Sequence, residues 1–148
     1  MPISRPTPDE PPALRAAREA RAIAGDEAAA GDDARRDAFC AFLYGLALGF
    51  AGRDDDPMPL ADRVDALATR LARDAVTLPF REACRVVEAV ADVLASGEPD
   101  PAVAGLVQAG VAAAADWQDG DARGFAQRVL QATAGESFAS DRALRPRR

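Results

Sequence analysis

Any chemistry in this chain has to come from carboxylates, arginines and two thiols, because its 148 residues include no histidine, no lysine and no asparagine. Without histidine the usual general base near neutral pH is missing, and so is the commonest transition-metal ligand. A Ser-His or Cys-His nucleophile pair is impossible within the chain. A zinc site would have to be built from carboxylates and the scattered Cys40 and Cys84, a poor ligand set. No residue is therefore nominated as catalytic or as a metal ligand, no cofactor is expected, and conventional hydrolase chemistry is set aside.

The carboxylates gather in two places, "DDD" at 54–56 and "DWQDGD" at 116–121. Neither is a calcium hand, which needs alternating ligands, a central glycine and a closing glutamate. They read first as solvated loops whose carboxylates cap helices. The sharper reading is attraction of a basic protein, which the net charge of −6 also suits. On that reading Asp54, Asp55, Asp56, Trp117 and Asp119 are the candidate partner-binding residues. Trp117, the only tryptophan, either closes the edge of a core or stands exposed as a binding anchor. The terminal Arg142, Arg145, Arg147 and Arg148 have no interleaved aromatics, so they read as a solvated tail rather than an RNA contact. The acidic balance argues against general nucleic-acid binding.

The elements that position these residues are helices. Residues 1–11 are proline-rich and read as a disordered N-terminal segment, 12–135 as a single helical domain, and 136–148 as a flexible tail. The first helix runs from Pro12 to about Gly25. With Leu14 and Ile23 as its only large apolar residues, it is expected to be mostly solvated. A second begins at Asp32 or Asp33 and stops near Gly52. The third carries a single stripe, Leu60, Val64, Leu67 and Leu71, and is ended by Pro79. The fourth places Phe80, Cys84, Val87, Ala91 and Leu94 on one face, widened by Val86, Val90 and Val93. It is expected to be the more buried of the two and to terminate at a left-handed Gly97. Asp100-Pro101 is a cap followed by a first-turn proline that opens the fifth helix. The sixth spans about Ala122 to Ala134, with Phe125, Val129 and either Leu130 or Ala132 facing inward. The fold class is all-α, a compact bundle of five to six helices. Both thiols fall on apolar helical faces and read as reduced core residues of a cytoplasmic protein.

The least polar stretch is "FCAFLYGLALGF", residues 39–50. Its apolar or small run, Ala38 to Gly52, falls short of the ~20 residues needed to span a bilayer. The start of the chain lacks the apolar core of a secretory signal, and neither a membrane segment nor a membrane partner is expected. Phe42, Gly45, Gly49 and Gly52 share one face, while Phe39, Leu43, Leu46 and Phe50 form a bulkier one. A groove of small residues lets another helix approach closely. The fifth helix offers small residues for it at Gly105, Ala109, Ala112 and Ala113. Core packing is the favoured use of the groove, with a homodimer or other protein interface, or a ligand pocket, as the alternatives.

Three segments taken in order resemble the small helical immunity proteins of type VI secretion amidase effectors. "FLYGLALG", Phe42 to Gly49, has the F-x-x-G-x-x-x-G character of an aromatic-rich helix in that family. "ACRVVEAVADVLASGEPD" is similar to its amphipathic helix ending in a Glu- and Pro-containing turn, and "AVAGLVQAGVAAAADW" to its Ala-rich third helix. These cover about residues 39–117. The family's typical export and disulfides have no counterpart motif here, and no family contact residue maps onto this chain. What the resemblance implies is a partner protein, a toxin or secreted effector.

The sequence is thus read as a non-enzymatic protein-binding protein, an immunity or inhibitor protein or a dedicated chaperone, that occludes a partner. The alternative is a ligand-binding or regulatory module. Its pocket would lie between the second, fourth and fifth helices, lined by Tyr44 and Cys84.

Overall fold

The computed structural model describes residues 11–25, 33–52, 58–98 and 100–134. It contains six helices: α1 (Pro12–Ala24), α2 (Asp33–Ala51), α3 (Leu60–Ala75), α4 (Phe80–Ala95), α5 (Pro101–Gln118) and α6 (Ala122–Ala134). Six helices and no strand among the described residues make the all-α bundle that the periodicity predicts. The expectations for residues 1–10 and for the arginine tail lie outside the described residues. No helix among those described is long and apolar enough to cross a membrane.

The punctuation follows local chemistry. Pro12 supplies the preset φ of a first turn, and Gly25, at φ 84°, closes α1 in a conformation that a side chain would resist. Asp100 accepts a hydrogen bond from the Ala102 amide at 2.8 Å, giving α5 its N-cap. Asp121 does the same for α6 through the Gly124 amide at 2.9 Å. Two expected helix ends differ. The third helix stops at Ala75, well before Pro79, and the fourth stops at Ala95 with Ser96 in extended backbone rather than at a left-handed Gly97.

The amphipathic stripes are rotated from where large side chains alone would place them. α1 is not mostly solvated: Ala13, Leu14, Ala16, Ala17 and Ala20 are all buried, so alanine itself forms the packing face. In α3 the buried set is Val64, Ala68, Leu71, Ala72 and Ala75, while Leu60 is 43% exposed. α4 buries Ala83, Val86, Val87 and Val90 and leaves fewer exposed positions than α3, as expected, although Phe80 is 57% exposed. α6 resolves its own ambiguity by burying Ala132 and exposing Leu130.

α2 is the hub, in contact with all five other helices. Its bulky face is buried throughout, with Phe39 and Phe42 stacked at 6.0 Å between ring centroids. Its glycine face is filled from within the chain by α5, the most extensive helix–helix contact in the fold. A Cβ on Gly45 would overlap the Val107 carbonyl, and one on Gly110 would overlap the Phe42 carbonyl. A Cβ on Gly49 would lie 2.5 Å from the Ala114 methyl. The two backbones touch because glycines stand on both sides of the crossing. The partner glycine is Gly110, not Gly105, whose Cβ position meets nothing within 4 Å.

A matched pair of substitutions in α5 checks this assignment. Gly110→Ala drives a methyl into the α2 backbone and is expected to destabilise by about 3 kcal/mol, at the upper end of overpacking effects. Gly105→Ala faces open space and is expected to stabilise by about 0.5–1 kcal/mol, since it removes a helix-interior glycine. Gly49→Leu should likewise lower the melting temperature. Urea unfolding followed by circular dichroism reads all three, and near-equal effects of the two alanine variants would contradict the crossing geometry.

Candidate functional site

Of the nominated partner-binding residues, Trp117 and Asp119 are the two that the structure describes. Asp54, Asp55 and Asp56 lie outside the described residues. Trp117 is half-buried, its ring meeting Phe125 edge-on at 5.1 Å between centroids, which closes the α5–α6 end of the core. Asp119 is exposed in the turn after α5, where its amide bonds to the Ala115 carbonyl at 2.9 Å. The neighbouring carboxylates serve structure: Asp121 caps α6 and Asp116 pairs with Arg128 at 2.6 Å. No group of three metal-ligating side chains occurs among the described residues.

A different surface brings charged and apolar groups together. On α3, Arg63, Ala66, Arg70 and Arg73 recur at spacings of three, four and three, which places them on one face beside the buried stripe. Two open grooves follow that face and share Ala66 and Arg70. The first, about 740 Å³, runs between α1 and the α3–α4 connection, with Leu14, Arg18, Arg73 and Phe80 among its walls. The second, about 410 Å³, continues toward the start of α3 past Pro11, Phe50, Met58 and Arg63. Together they form one trough along α3.

Its charged groups are held in distinct ways. Arg18 of α1 bonds Asp74 of α3 through Nε at 2.7 Å and Nη2 at 3.3 Å, tying the two walls. Arg63 donates to the Ala51 carbonyl at 2.8 Å and the Met58 carbonyl at 3.0 Å, so it fastens the end of α2 to the start of α3. Arg73 lies over the Phe80 ring, its Cζ 5.4 Å from the centroid, and this holds the exposed aromatic against the trough wall. Arg70, in the middle, is exposed. Among the described lining residues there are four arginines and a single carboxylate, Asp74. Thr77, at φ 57°, sits at the end of the trough. For a β-branched residue this is a left-handed outlier that costs on the order of 1–3 kcal/mol. The turn it makes folds Leu78 into the core and leaves Phe80 outside.

Beside the arginine face α3 also carries carboxylates. Burial first, then the neighbouring Asp62 and Glu88, push the Asp65 carboxyl above its ordinary range. Burial, with Asp65 adding to it, likewise raises the Tyr44 phenol. Tyr44 and Cys84 line neither groove. The direct contact of α2 with α5 leaves no space between those two helices at their crossing. Both cysteines are free, Cys40 buried and Cys84 half-buried. Burial, reinforced by Asp37 and opposed by Arg36, pushes the Cys40 thiol up to about 12.

No family model, no curated protein and no solved structure matches the chain. The reading of its function therefore rests on its own geometry.

The thiols supply a test of the core. At pH 8 a disulfide reagent should label Cys84 in the native protein and Cys40 only after unfolding. Folded Cys40 keeps its proton up to about pH 12, whereas the unfolded thiol loses it from about pH 8.5. The unfolded state then binds fewer protons, so stability should fall as pH rises through that window. Cys40→Ala should flatten this alkaline loss in pH-dependent urea melts. Rapid native labelling of both thiols would contradict the placement of Cys40.

Proposed function

We propose that this chain is a non-enzymatic protein-binding protein that works by occlusion, as an immunity or inhibitor protein or a dedicated chaperone does, and that it meets its partner through the trough along α3. The observation that carries this reading is the placement of exposed large apolar side chains: of the four among the described residues, Met58 and Phe80 line the trough, and Leu130 lies apart on α6. Leu60 is exposed in the first turn of α3, two residues after Met58. Such side chains beside arginines are the residue types of protein interfaces. The rest of the described molecule adds support. Among the described residues none that is buried is polar or charged, so the core of the bundle is apolar. The absence of histidine from the sequence removes the commonest acid–base catalyst. Free cysteines suit the reducing cytoplasm, which is the compartment we assign.

The mechanism is steric. A partner segment laid in the trough covers its own functional surface with α1 and α3. The carboxylates of Asp62, Asp65 and Glu88 keep the complex soluble and repel a second acidic copy.

Affinity purification of the chain from its native host, at near-endogenous expression, should retain one protein at close to equal stoichiometry. Recovery of nothing above a tag-only control would contradict the proposal.

A further inference from the structure

We infer that the trough along α3 takes an acidic segment of the partner, one in which Asp or Glu alternates with large apolar residues. The inference rests on the protein-binding reading above and adds the sign and pattern of the partner's side chains.

The argument is charge complementarity. The chain carries a net charge of −6, so a surface patch drawn at random would be acidic. Among its described lining residues the trough has the reverse sign: Arg70 and Arg73 stand exposed on α3, and the one carboxylate, Asp74, is engaged by Arg18. Arg70 stands exposed at the junction of the two grooves, within reach of an occupant of either. Guanidinium groups bind carboxylates with two parallel hydrogen bonds, which gives them geometric as well as electrostatic selectivity. The apolar floor repeats along the same axis: Phe50, Met58 and Leu67 line one groove, Leu14, Leu78 and Phe80 the other. An occupant that satisfies both needs carboxylates on one edge and apolar side chains on the other. The sixteen residues of α3 span about 24 Å, enough for an amphipathic helix of similar length. A basic segment would meet the like charges of Arg70 and Arg73 in the middle of the trough.

Full-length protein can be panned against a display library of random sixteen-residue peptides. Recovered peptides are then measured by fluorescence anisotropy against the wild type, Arg70→Glu/Arg73→Glu, Arg70→Gln/Arg73→Gln and Phe80→Ala. The binders should carry an excess of Asp and Glu interleaved with Leu, Phe or Trp. They should weaken as salt rises and lose at least tenfold in affinity for the charge-reversed protein. The glutamine and Phe80→Ala variants should lose less, each several-fold. Both arginines are exposed, and unchanged circular dichroism melts of the variants will separate lost binding from lost folding. Basic or neutral binders, no binders, or affinities indifferent to Arg70 and Arg73 would overturn the inference. So would sedimentation showing that a second copy of the chain fills the trough. A native partner retained equally by wild-type and charge-reversed protein would overturn it while leaving the protein-binding reading intact. Failure to retain any partner would strike that reading first.

Discussion

The close approach of α2 and α5 is the constraint on which the rest of the molecule depends. Gly45 and Gly110 stand where any side chain would enter the opposing backbone, and Gly49 meets the Ala114 methyl. Helices that close gain many weak dispersion contacts per residue, contacts that large side chains would otherwise have to supply. A chain with only 5% aromatic residues and abundant alanine needs such an arrangement. Alanine buries little area, so density has to come from proximity. The same economy appears in α1, which docks through four alanines and one leucine.

With α2 seated against α5, its remaining faces hold α1, α3, α4 and α6. This sets the rotation of α3, whose small buried residues face inward and whose charged flanks diverge. One flank carries Asp62 and Asp65, the other Arg63, Arg70, Arg73 and the Arg18-paired Asp74. Net charge describes the average surface, and the trough departs from it in sign. The partner that an overall charge of −6 suggests is basic, whereas the described lining of the trough carries arginines in excess of carboxylates. The left-handed Thr77 belongs to the same geometry, because it buries Leu78 while presenting Phe80 beside Arg73.

Much of the fold was legible in local chemistry. Pro12, Gly25, Asp100-Pro101 and the breaks around Gly52 and Gly120 place helix ends without reference to tertiary structure. The central role of residues 39–50 follows from a helix apolar on nearly every side. Rotations were harder to read. Large apolar residues draw attention to Leu60 and Phe80, but both sit in the first turns of their helices, where the bundle no longer covers them. Gly110 was hidden among the small residues of α5, and only its contact with the α2 backbone selects it over Gly105. The trough was the least legible feature, since Arg18 and Asp74 lie 56 positions apart and meet only after folding. One signal was available in advance: Arg63, Ala66, Arg70 and Arg73 share a helical face that the apolar stripe does not use.

The claim that the α2–α5 contact organises the bundle can be tested by native-state hydrogen exchange on the unmodified protein. The account predicts that amides from Phe42 to Gly49 and from Leu106 to Ala114 are the slowest in the chain. They should open only by global unfolding, with a free energy equal to that from denaturant melts. Exchange of these amides through a smaller opening, while α3 or α4 stays protected, would contradict it.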